Sequence, residues 1–128
     1  MTLKAPHTNF GIVSQMELGS SVVDLEMKGC KMSIEVLGKV DNVAFIVGES
    51  SGKIRNCKSI DNTFNFVKGN FYNVGGVVGY SNGFVESCST IKLNAKKQSS
   101  VTKIQYFGGN VGRLHCKSKK KKKYNNFF

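Results

Sequence analysis

Four cysteines stand at positions 30, 57, 88 and 116, and two histidines at 7 and 115. Thiolates and imidazoles bind zinc and act as nucleophiles, but zinc sites draw on close pairs such as Cys-x(2–4)-Cys. Here successive cysteines lie 27, 31 and 28 residues apart, and the one adjacency, His115-Cys116, is too little to make a site. No metal and no cofactor is expected. Cys30, Cys57 and Cys88 are expected to form a column of small buried hydrophobes. They should stay thiols, because three in-phase sulfurs cannot all pair. Cys116 lies among Arg113 and six lysines. Positive charge favours a thiolate, so it is the cysteine expected to react if exposed.

The eight acids are Glu17, Asp24, Glu26, Glu35, Asp41, Glu49, Asp61 and Glu86. Cleavage of a glycosidic bond needs two carboxyls flanking one substrate. Asp24 and Glu26, two apart on an expected strand, share a face, but nothing else converges on them. Solvated surface charge is the stronger reading, and the chain is not expected to be an enzyme. The pairs Gly75-Gly76 and Gly108-Gly109 lack the Lys-Ser/Thr of a phosphate loop, and no helix follows them. Close-packing or turn glycine explains them better.

The loudest chemistry is the run Lys117, Lys119, Lys120, Lys121, Lys122 and Lys123. It suits nucleic acid, an anionic membrane or a nuclear import receptor. On an acidic membrane each lysine contributes up to about 1 kcal/mol, with Phe127 and Phe128 as interfacial anchors. Six phosphate contacts on B-DNA give a salt slope of about −5. No aromatic is interleaved in the run itself, as single-strand platforms require. The bland alternative, and the favoured one, is a disordered terminal tract left by an A-rich coding run or a frame slip that cut the array short.

The elements that position these residues follow from composition and period. The chain has 128 residues and a net charge of +11. Residues 1–112 carry 12 basic and 8 acidic groups, whereas residues 113–128 carry seven basic groups and no acid. The charge therefore belongs to the tail. The length suits one domain with a modest core. Fourteen glycines, one proline and 40 % apolar residues argue against collagen, a proline-rich linker and a helical bundle. No apolar run reaches the roughly 18 residues of a membrane span. The longest apolar start, Phe10 to Val13, is too short for a secretory signal, so the chain is expected either to stay inside the cell or to be part of a longer exported protein. The absence of an Asn-x-Ser/Thr sequon leans slightly against a glycosylated surface.

The sequence repeats. Val47-Gly48-Glu49-Ser50-Ser51-Gly52-Lys53-Ile54-Arg55-Asn56-Cys57 aligns without gaps on Val78-Gly79-Tyr80-Ser81-Asn82-Gly83-Phe84-Val85-Glu86-Ser87-Cys88, at an offset of 31. Phe107-Gly108-Gly109-Asn110-Val111-Gly112 repeats Val74 to Gly79, and a degenerate first copy is read from Leu18-Gly19 to Gly29-Cys30. The anchors are then Gly19, Gly48, Gly79 and Gly112. Met32, Ile34 and Val36 alternate with polar residues, as do Ile91, Leu93 and Ala95, which is the period of a half-buried strand. Gly52 and Gly83 are expected at turns requiring positive φ. Several strands per unit of about 30 residues describe a solenoid, since one unit cannot bury its apolar face alone. Stacked coils put Ile54 on Val85, Cys57 on Cys88, Val47 on Val78 and Arg55 beside Glu86. Glu49, Tyr80 and Arg113 share another column, with one carboxylate among them.

The segments Val74-Gly75-Gly76-Val77-Val78-Gly79-Tyr80-Ser81-Asn82-Gly83-Phe84-Val85-Glu86-Ser87-Cys88 and Ala44 through Cys57 resemble the GLUG motif, over roughly residues 43–112. The resemblance implies β-helical rungs in large surface or secreted repeat proteins, bacterial adhesins among them, with no catalytic residue to transfer. The expected fold is all-β: a short right-handed parallel β-helix of three to four coils with a disordered basic tail, a β-sandwich being the alternative. The expected divisions are a lead-in or cap over residues 1–16, the repeat domain over 17–113 and the tail over 114–128. The expected function is a non-catalytic structural or adhesion module, part of a longer array, with an unknown protein or glycan ligand and self-association through open coil ends. The alternatives are an intracellular module whose lysines contact nucleic acid or anionic membrane and, third, a degenerate carbohydrate-active β-helix. Cell surface or secretion follows from the resemblance alone.

Overall fold

The computed structural model describes residues 2–3 and 9–114. Among them there is no helix, and parallel strands stack into a solenoid of about three turns. The second coil shows the plan. A long strand, β6 (Lys31–Ala44), is followed by β7 (Val47–Ser50), β8 (Lys53–Arg55) and β9 (Lys58–Ile60). The third coil repeats it with β10 (Thr63–Gly75), β11 (Val78–Ser81), β12 (Phe84–Glu86) and β13 (Ser89–Ile91). A further partial coil adds β14 (Asn94–Phe107) and β15 (Val111–Leu114). In the first coil, β1 (Thr2–Leu3) and β2 (Asn9–Phe10) both pair β6, and β3 (Val13–Met16), β4 (Ser21–Val23) and β5 (Glu26–Lys28) complete the turn. Residues 9–16, expected as lead-in, thus belong to the coil sheets.

Equivalent strands of successive coils pair in parallel and make four sheets, the long one led by β6-β10-β14 and the others β3-β7-β11-β15, β4-β8-β12 and β5-β9-β13. Val78 pairs with Val47, Val85 with Ile54 and Glu86 with Arg55. Arg55 and Glu86 stand in register without closing into an ion pair, whereas Lys39 and Asp41 do so at 3.7 Å.

Alternation drives the core. Met32, Ile34 and Val36 of β6 point inward, as do Phe64 and Phe66 of β10. A chain of rings runs through the interior, with Phe45–Phe64 centroids at 4.4 Å, Phe64–Phe66 at 5.2 Å and Phe66–Phe71 at 4.7 Å. Such aromatic pairs add to the energy of area burial alone. A second apolar cluster, with Val47, Ile54, Val78 and Val85, fills the space between the short strands. The buried polar side chains are mostly hydrogen-bonded. Asn62 accepts from the Cys30 backbone N–H at 2.7 Å and donates to Met27 O at 3.0 Å and Ser59 Oγ at 2.8 Å.

Four sequence expectations are corrected. The first concerns turns. Gly52 and Gly83 are not among the glycines with positive φ. A Cβ on Gly83 would run into Gly52 O, and one on Gly52 into Ser20 O, so stacking distance rather than backbone handedness demands glycine there. The left-handed corners fall instead on Asp24, Asn56 and Ser87 (φ 60, 54 and 55°) and on Gly29, Asp61 and Lys92 (φ 66, 54 and 55°). Asn and Asp tolerate this region better than most residues.

The second correction is the anchor of the first coil. Val13 and Gln15 pair with Val47 and Glu49, which puts Ser14, not Gly19, level with Gly48. Third, Cys30 leaves the cysteine column. Glu26 pairs with Lys58 and Lys31 with Thr63, so Leu25 matches Cys57 and Cys30 matches Asn62. A single offset fails there because the first coil is longer between β3 and β7 than the second is between β7 and β11. Fourth, Ile91, Leu93 and Ala95 are not one strand, because the corner at Lys92 separates β13 from β14.

Candidate functional site

Gly48, Ile54, Gly79, Val85 and Gly112 lie in β7, β8, β11, β12 and β15, and Gly52, Gly83, Cys57 and Cys88 at the bends beside them. They form the packed interior and the close coil-to-coil approaches. Cys57 and Cys88 are buried thiols. The Cys57 Sγ faces Arg55 O at 3.5 Å, and the Cys88 Sγ faces Glu86 O at 3.4 Å. Burial pushes the Cys88 thiol up from 9.0 to about 11, with a backbone hydrogen bond from Cys57 acting the other way. Among the described residues, no group of three or more His, Cys, Asp or Glu is arranged to hold a metal ion. Lys117, Lys119, Lys120, Lys121, Lys122, Lys123 and Cys116 lie outside the described residues.

Asp24 and Glu26, expected on one strand face, are separated by the corner at Asp24, whose Oδ1 accepts from Asn56 Nδ2 at 2.6 Å. With Leu25, Asn56 and Lys58 they line a shallow dip of about 140 Å³. No substrate-sized cleft forms there.

A larger site lies where the long sheet turns into the sheet of β3, β7, β11 and β15. There a groove of about 470 Å³ is lined by Asp41, Asn42, Glu49, Tyr72, Asn73, Tyr80, Gln105, Tyr106 and Arg113. That volume lies in the range of small-molecule sites. One wall comes from β6, β10 and β14, the other from β7, β11 and β15. Each coil contributes one level to each wall. Glu49, Tyr80 and Arg113 are register partners on the second wall, the column anticipated from the repeat. On the first wall Asn42 pairs with Asn73, and Asn73 with Tyr106.

Local interactions fix these side chains. Asn42 donates through Nδ2 to Asn9 Oδ1 at 2.6 Å, and Asn73 Nδ2 donates to Asn42 Oδ1 at 2.8 Å. Asn9 Nδ2 in turn donates to Glu49 Oε1 at 3.2 Å, tying the two walls together. The next position in this amide row is Tyr106, which offers no carboxamide, and the Oδ1 of Asn73 is left buried without a hydrogen-bond partner. Lys39 pairs with Asp41 and lies 5.4 Å from the centre of the Tyr72 ring. The Arg113 guanidinium lies 5.0 Å from the Tyr106 ring centre. Both arrangements are cation–π contacts that hold rings and cations together.

Asn42, Tyr72, Asn73, Gln105 and Tyr106 were not reached by sequence reasoning, and Asp41 only as one of eight acids read as surface charge. A signal for them exists, because each pair directly precedes the Val43-Ala44, Val74-Gly75 or Phe107-Gly108 opening of a repeat. Extending the frame two residues toward the N-terminus finds them. The register within β10 obscures it earlier, with bulges between Phe66 and Lys68 and again before Asn70.

No family model, no curated protein and no solved structure matches the chain.

Proposed function

We propose that the chain is a non-catalytic structural and adhesion module, one stretch of a GLUG-type repeat array of the surface or secreted kind. The observation that carries this reading is the repetition of one coil plan in register through four parallel sheets. Such a plan adds surface by adding coils, and each outward position becomes a row of side chains along the axis. The two carboxylates of the groove are each engaged by a neighbour, Asp41 by Lys39 and Glu49 by Asn9. That suits holding a ligand better than moving protons.

A test follows from the register of Val47 with Val78. Residues 47–77 are duplicated in frame directly after Val77. The expected product unfolds in one cooperative transition and is longer by about 4.8 Å, one inter-strand spacing, in small-angle scattering. A product that is unfolded, or folded without that gain in length, overturns the modular reading.

A further inference from the structure

We propose that the groove between the long sheet and the β7-β11-β15 wall binds a neutral oligosaccharide chain lying along the solenoid axis. The inference rests on the reading of the chain as a non-catalytic adhesion module, and names its ligand class.

The lining decides against other ligands. The groove has no aliphatic side chain, so it offers nothing to anchor an apolar peptide or a lipid tail. The exposed aliphatic residues Leu18, Leu37 and Ile91 are not part of it. Its charges balance: Asp41 is matched by Lys39 at the rim, and Glu49 shares its column with Arg113. A polyanion or a cation gains little from such a site. Tyrosine rings and fixed carboxylate, amide and guanidinium groups remain. Rings give an apolar flat face with a polar tip, and the polar groups supply acceptors and donors at set positions. A sugar ring has the matching form, with an apolar C–H face and hydroxyls around its edge.

The spacing of the lining also suits a sugar chain. The polar rows rise by one coil per level, about 4.8 Å, a spacing on the scale of one sugar ring. A chain of sugars along the axis would present one ring per coil.

The test uses the full chain and intrinsic tyrosine fluorescence, which is clean because the sequence has no tryptophan and three of its four tyrosines line the groove. Cellohexaose, xylohexaose, mannohexaose, laminarihexaose and chitohexaose are titrated to millimolar concentration, with hexagalacturonate as the charged comparison, and isothermal calorimetry gives affinities. At least one neutral hexasaccharide should bind saturably and change the emission. Tyr72→Ala with Tyr80→Ala should weaken it about tenfold, while Tyr72→Phe with Tyr80→Phe keeps most of the binding. The Phe pair keeps the proposal testable if the Ala pair fails to fold. Failure of every neutral sugar to bind, preference for hexagalacturonate, or unchanged affinity in a folded Ala pair overturns the proposal. Chromatography of the sugar after incubation separates the two readings. Intact bound sugar supports both. A shortened sugar overturns the non-catalytic reading and leaves sugar binding standing. No binding beside a well-behaved coil duplication overturns the glycan inference alone.

Discussion

Cys88 shows how a single side chain reports on the interior. Its thiol is held as the neutral form by desolvation, with the value raised from 9.0 to about 11. An unfolded chain releases this proton near 9.0, so between there and about 11 the folded state binds more protons than the unfolded one. Stability from this group is therefore intact below pH 9 and declines as pH rises through the window. Urea midpoints measured on both sides of pH 9 should fall, and the fall should be shallower in Cys88→Ala. Equal slopes in the two proteins would contradict the assignment. The same column continues below Cys88 through Cys57 to Leu25, so the position asks for a small or medium apolar side chain, not for sulfur chemistry.

At the scale of elements, glycine sets how closely bends can stack. Gly83 sits over Gly52, and a methyl group at 83 would strike the carbonyl below. Gly83→Ala is expected to cost about 1–3 kcal/mol, as overpacked sites do, with thermal unfolding as the measurement. A loss below a few tenths of a kcal/mol would show that the bend relaxes freely. This is also where the sequence was readable and where it was not. The ungapped match of residues 47–57 with 78–88 made the parallel stacking of Ile54 and Val85 legible, because one rigid offset covers three strands. The same glycines were visible, but their reason was not, since sequence carries no inter-coil distance. The left-handed corners were missed because five of the six are Asp, Asn, Ser or Lys in unremarkable contexts. The alternation over Ile91, Leu93 and Ala95 hid one of them. Of the groove, the Glu49-Tyr80-Arg113 wall was legible from the repeat. The opposite wall lay two residues outside the glycine-anchored frame, in positions where Asn42, Asn73 and Tyr106 share register but not residue type.

For the molecule as a whole, stability is shared between neighbouring coils rather than concentrated at one centre. The strands of β6 and β10 pair on both sides, whereas β14 and β15 each have one partner strand among the described residues. The ladders between coils all run in the same sense, with their hydrogen bonds pointing along the stacking direction. This orientation governs how the chain answers a mechanical load. Tension applied through its two ends pulls the ladder bonds apart in sequence, as in unzipping, rather than shearing many at once. Each coil between Val47 and Val78 spans 31 residues, so its release should lengthen the tether by about 100 Å at 3.3–3.6 Å per residue. Optical-trap traces should show such steps at low force, and one abrupt rupture of the entire chain would argue against it. A fold of this kind yields gradually, turning a tug into extra reach one coil at a time.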